Sequence, residues 1–258
     1  MSAPKSRLDV LLMERGLVSS RERARAVILA GLVRVDGQVV SKAGAPVAPT
    51  ATIDLTGRDH PYVGRGGIKL AHALDVFGIA VEGRRGLDIG ASTGGFTDVL
   101  LQRGAIDVIA LDVGHNQLDW KLRSDPRVHV LEGINARALT EQDVPYLVDI
   151  VTIDVSFISL SYILPRVPKV LAPGADVVAL VKPQFEAGRA EVGKGGIVTD
   201  PAVHEAVLVR VAANAESLGF ERRGLTASPI AGATGNREFL MHWRLGSGAP
   251  PADTAPLG

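Results

Sequence analysis

Apolar strand-like runs alternate with helical segments from residue 86 to residue 244, and this alternation restricts the possible folds most strongly. The strand candidates are residues 86–90, 107–112, 128–131, 148–154, 175–182, 222–229 and 237–244. The helix candidates lie between them, at residues 93–104, 117–123, 159–171 and 201–219. Continuous apolar strands separated by helices predict an α/β fold with a parallel sheet covered on both faces. The last strand can return antiparallel.

The loop after the first of these strands predicts a cofactor site. Residues 87–100 read LDIGASTGGFTDVL, so an apolar strand ends in a loop of small residues that leads into a helix. Glycines in such a loop let a cofactor approach the backbone, because they carry no side chain. Gly90, Gly94 and Gly95 differ in spacing from the G-x-G-x-x-G of dinucleotide-binding proteins, and no P-loop motif G-x-x-x-x-G-K-S/T occurs. The loop resembles instead the nucleoside pocket of class I methyltransferases, which bind S-adenosylmethionine.

Polar residues at the ends of successive strands extend this candidate site. Cofactors bind outside the carboxyl ends of the strands in such sheets. Asp112 lies 22 residues beyond Gly90, at the end of the second strand, which suits hydrogen bonding to ribose hydroxyls. Asp88 is expected near the methionine end of the cofactor and residues 132–135 near the adenine, although each acidic or polar residue alone is also typical of a helix cap or turn. The predicted cofactor-binding residues are Asp88, Gly90, Ala91, Ser92, Thr93, Gly94, Gly95, Phe96, Asp112, Val113, Asn135 and Asp154.

The net charge of zero hides an uneven distribution along the chain. Residues 1–70 hold 11 Lys and Arg against 6 Asp and Glu, whereas the other 188 residues hold 17 against 22. A basic N-terminal module joined to a mildly acidic body favours a polyanion as partner of the N-terminal part. A solvated basic face is the alternative interpretation.

The N-terminal pattern favours RNA as that polyanion. A short amphipathic helix begins at Arg7, a second spans residues 21–29 with Arg21 and Arg25 on one face, and residues 33–39 form a hairpin with Asp-Gly at its turn. This layout resembles the alpha-L RNA-binding domain over roughly residues 5–55. The resemblance implies that the module holds structured RNA through its phosphates, and a helical cap with accidental arginines is the alternative. The predicted RNA-binding residues are Arg7, Arg21, Arg25, Lys42 and Arg65.

Ionisable residues at the strand ends indicate the acceptor of a methyl group. A ribose hydroxyl is a poor nucleophile, so its proton must be removed or strongly engaged. Lys182 ends an apolar strand, and Asp154 ends the neighbouring strand and is expected to orient it. Lys69 would approach from the preceding helix and Glu238 from the last strand. As alternatives, Lys69 and Glu238 would form a surface ion pair, and Asp154 and Lys182 a structural one.

From Arg7 to Trp243 the chain resembles the TlyA family, whose members are fusions of an alpha-L domain with an FtsJ-like ribose methyltransferase. The matching stretches are residues 64–70, 87–97, 112–118, 154–160, 181–186 and 193–198. The resemblance implies a class I (Rossmann-like) seven-stranded methyltransferase sheet behind a small α+β RNA-binding domain, with S-adenosylmethionine as cofactor and no metal. It places the catalytic Lys-Asp-Lys-Glu tetrad at Lys69, Asp154, Lys182 and Glu238. It also implies 2′-O-methylation of cytidine in 16S or 23S ribosomal RNA, or both, and a link to capreomycin and viomycin sensitivity.

Stretches rich in proline, glycine and polar residues predict the domain boundaries of the chain. We expect an RNA-binding domain at residues 1–58, a linker at 59–64, a methyltransferase domain at 65–245 and a disordered tail at 246–258. Cysteine is absent and no apolar run reaches the roughly 18 residues of a membrane span, so we expect a cytoplasmic protein without a membrane partner.

Other function classes remain open from the sequence. Some TlyA-family members carry a haemolysin label, and residues 201–219 are the best candidate for a membrane-active helix. A non-catalytic factor that binds ribosomes and a methyltransferase that acts on a protein or a small molecule are further alternatives. The intact tetrad and the basic module favour the RNA methyltransferase.

Overall fold

The computed structural model describes residues 5–18, 20–29, 31–55, 60–232 and 234–246. The chain divides into two compact units, Met1–Pro61 and Tyr62–Gly258. The start of the expected linker 59–64 lies outside the described residues, whereas Val63 is buried in the second unit and donates its backbone N–H to Asp98 at 2.8 Å. The expected tail lies outside the described residues from position 247 onward.

The N-terminal unit is a small α+β domain. Its elements are β1 (Ser6–Arg7), α1 (Leu8–Glu14), α2 (Arg21–Leu29), β2 (Val33–Val35), β3 (Gln38–Val39), β4 (Pro46–Val47) and β5 (Ile53–Leu55). β1 pairs with β4, and β3, β2 and β5 form a three-stranded antiparallel sheet. Asp36 and Gly37 have φ of 49° and 81°, the left-handed backbone that a two-residue Asp-Gly hairpin turn requires. The predicted hairpin is confirmed.

The apolar faces of the two N-terminal helices form the core of this unit. Leu8, Leu11 and Leu12 of α1 pack with Val27 and Ile28 of α2, and all five side chains are buried. Burying side chains of this size contributes about 1.5–3 kcal/mol each. Arg21, Glu22 and Arg25 of α2 are exposed.

The second unit contains a seven-stranded sheet in the order β11-β12-β10-β9-β6-β7-β8. Its elements are α3 (Gly66–Phe77), β6 (Arg85–Ile89), α4 (Gly95–Gln102), β7 (Asp107–Asp112), α5 (Trp120–Arg123), β8 (Val128–Glu132), β9 (Val148–Ile153), β10 (Leu171–Val181), α6 (Pro183–Glu186), α7 (Pro201–Ser217), β11 (Phe220–Ala227) and β12 (Phe239–Leu245). Strand β12 is antiparallel to both of its neighbours, and the pairings from β10 to β8 are parallel. All seven predicted strands and the antiparallel return of the last one are confirmed.

One predicted helix is wrong. Residues 159–171 form two stretches of 3₁₀-helix, Leu160–Tyr162 and Leu164–Val170. Pro165 and Pro168 lie in this segment, and a proline has no backbone N–H and clashes with the preceding helical turn. A continuous α-helix therefore cannot form there.

The long helix α7 covers the sheet. Its buried residues are His204, Val207, Val211, Ala212 and Ala215, and the four apolar ones pack on the same core as strands β9 and β10. This is the segment considered for membrane activity. Among the described residues, every helix is too short or too polar to cross a bilayer.

The inner strands of the sheet contribute side chains to a buried cluster on each face. Successive side chains of a strand point to opposite faces, so one strand can contribute to both clusters. In β10, Val177 and Ala179 belong to one buried cluster, whereas Val178 and Leu180 belong to the other. Residues 175–181 of β10 are therefore buried on both faces of the sheet. The carboxyl ends of β6, β7, β9 and β10 lie along one edge of the sheet.

Candidate active site

The loop after β6 approaches the end of β9 closely. Gly90 has a φ of 86°, and a Cβ built on it would lie 2.5 Å from the carbonyl oxygen of Asp154. Its N–H donates to the Leu111 carbonyl at 2.8 Å, while the Asp154 N–H donates to Ile89 at 2.9 Å. A side chain at position 90 is excluded by both the backbone angle and the space. The loop therefore lies directly on the ends of β7 and β9.

A cleft of about 570 Å³ opens beside this loop. It lies at the carboxyl ends of β6, β7 and β9. Its lining residues are Gly90, Ser92, Leu111, Asp112, Val113, Gln117, Ile134, Asn135, Ala136, Arg137, Asp154, Val155, Ser156, Phe157, Ile158 and Ile163. Most of the apolar ones belong to the stretches 112–118, 132–135 and 154–160 singled out in the sequence, whereas Leu111, Ala136 and Ile163 carry no site pattern.

An adjoining cavity of about 190 Å³ shares four lining residues with the cleft. It is lined by Gly66, Gly90, Ala91, Ser92, Thr93, Gly95, Phe96, Asp154, Ser156 and Lys182. Together the two cavities include every predicted cofactor-binding residue except Asp88 and Gly94. A side chain on Gly94 would overlap Leu122, so this glycine permits packing beneath the loop.

Asp88 lines neither cavity, and its expected place near the methionine end of the cofactor stays a prediction. Its side chain is fully buried and accepts hydrogen bonds from the Thr97 N–H at 2.9 Å, the Thr97 hydroxyl at 2.7 Å and the Thr152 hydroxyl at 3.1 Å. Burial raises the pKa of Asp88 to about 7, although these hydrogen bonds oppose the shift. Asp88 thus ties the start of α4 to β9 and supports the loop from below.

Asp112 lies where the sequence predicts it, at the end of β7 in the cleft. One carboxylate oxygen accepts the N–H of Ser92 and the other that of Gly114, each at 2.7 Å. These bonds fix the orientation of the carboxylate. Each oxygen has a further lone pair, so the group can still accept hydrogen bonds from two hydroxyls of a ligand.

Lys182 and Asp154 form an ion pair at the edge of the small cavity. The Lys182 Nζ lies 2.6 Å from Asp154 Oδ1 and also donates to the Ser156 Oγ at 2.8 Å. The pair arises from strand register, because Ala179 of β10 lies beside Ile153 of β9 and each strand ends shortly afterwards. Ser156 is a partner that no sequence pattern predicted, although it lies in the stretch 154–160 that carries the family resemblance.

Lys69 and Glu238 form a second pair, which is buried. The Lys69 Nζ lies 2.5 Å from Glu238 Oε2, and both residues are buried. Their burial rules out the alternative of a surface ion pair. Val181 of β10 is the register partner of Phe239 in β12, so Lys182 and Glu238 occupy neighbouring chain ends. The register thus brings the two pairs to the same edge of the sheet.

In the N-terminal unit, three predicted RNA-binding arginines converge on one carboxylate. Asp9 is fully buried, and its oxygens lie 2.9 Å from Arg7, 3.2 Å from Arg21 and 3.7 Å from Arg25. Hydrogen bonds from Arg7 lower the pKa of Asp9 far below its ordinary value; burial opposes this shift and Arg21 adds to it. The three arginine side chains are about half exposed, so Asp9 gathers them into a basic surface. Lys42 is exposed as well.

Two family models match the chain. A model described as FtsJ-like methyltransferase covers residues 62–245, which is more than half of the chain. The chain belongs to the FtsJ-like methyltransferase family. A model described as S4 domain matches residues 6–53. The predicted order of a small RNA-binding domain followed by a methyltransferase is confirmed, and with it the class of S-adenosylmethionine-dependent methyltransferases.

Full-length relatives share this arrangement. The chain is 48% identical over 243 residues to the 16S/23S rRNA (cytidine-2′-O)-methyltransferase TlyA of Mycobacterium tuberculosis, covering 94% of this chain and 91% of the relative. It is 44% identical to Hemolysin A of Brachyspira hyodysenteriae, covering 92% and 99%. A solved structure from Streptococcus thermophilus, of a protein that carries a hemolysin name, is 49% identical with a TM-score of 0.73 and covers 94% and 89%. The similarity extends across both units of this FtsJ-like methyltransferase.

Proposed function

We propose that this FtsJ-like methyltransferase transfers a methyl group from S-adenosylmethionine to the ribose 2′-hydroxyl of cytidine in ribosomal RNA. The observation that carries the proposal is the ion pair of Lys182 with Asp154, 2.6 Å apart, in a cavity that adjoins the nucleoside-sized cleft. The relative from Mycobacterium tuberculosis is named for the same reaction.

The cleft residues fit S-adenosylmethionine. Asp112 offers an oriented carboxylate to the two ribose hydroxyls, and the bare backbone at Gly90 admits close approach. Asn135 lines the far part of the cleft, where the adenine would lie. When bound, the cofactor supplies an electrophilic methyl group. The residues of the protein hold the cofactor, hold the acceptor ribose and take one proton from it.

Lys182 is the residue that takes the proton in this proposal. A ribose hydroxyl becomes an effective nucleophile only as its proton leaves, so a base must lie within hydrogen-bond distance of its oxygen. Lys182 lines the small cavity and its side chain is mostly buried. Asp154 stabilises the ammonium that forms when the proton arrives. The O2′–H bond breaks, an Nζ–H bond forms, and the released electron pair stays on the ribose oxygen.

Lys69 orients the acceptor ribose. An ammonium carries three N–H donors, so Lys69 can bind an acceptor oxygen while it holds Glu238. Glu238 fixes the position of the lysine, and Gly232 leaves space for its carboxylate, since a side chain there would overlap it. Both groups belong to elements that also bury core residues, which keeps the pair rigid.

The N-terminal unit and Arg65 bind the RNA. Arg7, Arg21 and Arg25 present positive charge around Asp9, and Lys42 adds to the same unit. Clustered cations bind the phosphate backbone regardless of sequence, so this surface supplies affinity. The choice of the cytidine would then depend on how the RNA folds around the active site.

Mapping of ribose methylation tests the proposal. Ribosomal RNA and each ribosomal subunit are incubated with the protein and labelled S-adenosylmethionine, and 2′-O-methylated positions are located. We expect Lys182→Ala to abolish transfer and to leave the cofactor Kd within a few fold. Lys169→Ala is the matched control, because this exposed lysine precedes β10 at the opposite edge of the sheet. Label on bases or protein instead of ribose would overturn the proposal.

A cofactor Kd that rises as much as turnover falls in Lys182→Ala would remove the base assignment alone. The link to capreomycin and viomycin sensitivity stays a prediction. This link is tested by measuring growth inhibition by capreomycin or viomycin in cells that carry the wild-type protein, Lys182→Ala or Lys169→Ala. A difference between wild type and Lys182→Ala, with Lys169→Ala like the wild type, shows an effect that depends on methylation.

A further inference from the structure

Ser156 contacts the ammonium of Lys182 at the junction of the two cavities. Its Oγ accepts a hydrogen bond from Lys182 Nζ at 2.8 Å, and it lines both the cleft and the small cavity. We propose that Ser156 is a positioning residue that fixes the rotation of the Lys182 amine, so that the nitrogen lone pair faces the acceptor hydroxyl. The proposal rests on the function proposed above.

The geometry of an amine explains why two partners are needed. An ammonium has three N–H donors in a tetrahedral arrangement, and a single partner leaves it free to rotate about the Cε–Nζ bond. Ser156 accepts the hydrogen bond of the lysine at 2.8 Å, and Asp154 Oδ1 lies 2.6 Å from Nζ as an ion-pair partner whose geometry is not that of a hydrogen bond. When the amine is neutral, one N–H keeps Ser156, and the negative charge of Asp154 repels the lone pair, which then takes the remaining position. That position is left for the cavity that Lys182 lines.

Both partners belong to one short segment, and a separate contact holds this segment in place. Glu186, at the end of α6, accepts hydrogen bonds from the Ser159 hydroxyl at 2.6 Å and from the Leu160 N–H at 2.7 Å. Helix α6 begins directly after Lys182. The chain after β9 and the chain after β10 are therefore joined at two places. The distance from Ser156 to the lysine is thus set by this scaffold and does not depend on their own contact alone.

This arrangement has a direct consequence for the proton transfer. During the reaction the O2′ proton moves to the Lys182 lone pair, the O2′–H bond breaks and a third N–H bond forms. The ammonium product donates to Ser156 and to the methylated oxygen or water, and it is paired in charge with Asp154. Ser156 thus stabilises the protonated lysine, and it orients the neutral one. Loss of its oxygen acceptor changes both the rate and its dependence on pH.

Two substitutions at this position, with one control, test the role. Ser156→Ala removes the acceptor, and Ser156→Cys keeps the size but offers only a weak sulfur acceptor. Ser217→Ala is the control, because that hydroxyl caps the end of α7 and bonds only to the local Asn214 carbonyl among the contacts described. Ribose methylation is measured under saturating RNA and cofactor across a pH series, together with the cofactor Kd.

We expect kcat to fall roughly 10- to 100-fold in both Ser156 variants, the size expected when a hydrogen bond to a charged group is lost. The fall in kcat should exceed any change in the cofactor Kd or in the KM for RNA, because the hydrogen bond of Ser156 goes to the lysine. The acid limb of the kcat profile should move to lower pH, since the ammonium loses an acceptor. Ser217→Ala should match the wild type.

The outcomes separate this inference from the proposed function. Ribose methylation by the wild type, its loss in Lys182→Ala and an unchanged kcat in Ser156→Ala would overturn the role of Ser156 and leave the function standing. A fall in kcat without movement of the acid limb would also overturn it, because a merely structural effect gives that result. Absence of ribose methylation by the wild type would overturn the function itself.

Discussion

Removing one partner of the buried Lys69–Glu238 ion pair should lower the free energy of unfolding much more than removing both partners. The two charged atoms lie 2.5 Å apart, and only 11% and 3% of their side chains are exposed. Loss of one partner of a buried ion pair costs roughly 3–5 kcal/mol, because the remaining charge stays buried without compensation. Lys69→Met leaves the less exposed group, the carboxylate, so we expect about 4 kcal/mol. Glu238→Leu leaves the slightly more exposed ammonium without its partner, so we expect about 3 kcal/mol for that single variant.

The double variant Lys69→Met/Glu238→Leu tests the physical reason. Replacing a buried ion pair by apolar side chains of similar volume is often neutral, since neither charge pays desolvation. We therefore expect the double variant to lie within about 1 kcal/mol of the wild type, which implies a coupling energy of roughly 3 kcal/mol or more. As a matched control, Asp75→Ala breaks the exposed pair with Arg103 and should cost at most about 1 kcal/mol.

Urea unfolding followed by tryptophan fluorescence reports the free energy of unfolding of the second unit, which contains the Lys69–Glu238 pair. The chain has two tryptophans, Trp120 and Trp243, and both lie in the second unit. Methyl transfer is assayed on the same samples, and the double variant should be stable and inactive. Destabilisation of the double variant by the sum of the single losses would refute the argument from buried charge. Full activity in the double variant would refute the catalytic role of the pair.

Two further predictions concern RNA affinity and pH. Reversing the charges of Arg21 and Arg25 to Glu should weaken RNA binding and reduce the slope of log Kd against log salt, and an unchanged slope would contradict phosphate contact. The raised pKa of Asp88, about 7, means that the folded state binds a proton more tightly than the unfolded chain. The free energy of unfolding should therefore decrease as pH rises from about 4 to 7, and Asp88→Asn should flatten this decrease in urea titrations at several pH values. If the free energy of unfolding depended on pH in the same way in the wild type and in Asp88→Asn, the result would contradict this role of the Asp88 carboxyl.

Local patterns were sufficient for the elements of the fold. Strand periods, turn glycines and the Asp36-Gly37 hairpin depend on residues that are neighbours in the chain, so the seven strands could be predicted from sequence. The alternation of strands and helices predicts a helix at residues 159–171, between two of the strands. Chain geometry decides otherwise, since Pro165 and Pro168 remove backbone donors.

Position at a strand end was a weaker guide to the role of a side chain. Asp88 and Asp112 both come near the end of a strand, but Asp112 enters the cleft while Asp88 points into the packed interior. Alternation along a strand sends successive side chains to opposite faces, and only the packed sheet shows which face a residue near the end will bury. Asp9 was missed because Arg21 and Arg25 of α2 reach it only when α1 and α2 pack.

The sequence by itself determined the fold class, the cofactor loop and the identities of the four candidate catalytic residues, because each of these depends on local pattern or on family resemblance. Only the tertiary structure decided which of these side chains contact each other. Lys69 meets Glu238 across 169 positions of sequence, and Lys182 meets Ser156 across 26. Strand order and register create these contacts, and register is set by the packing of apolar side chains far from the site. The chemistry of the site therefore rests on residues that carry no chemistry themselves.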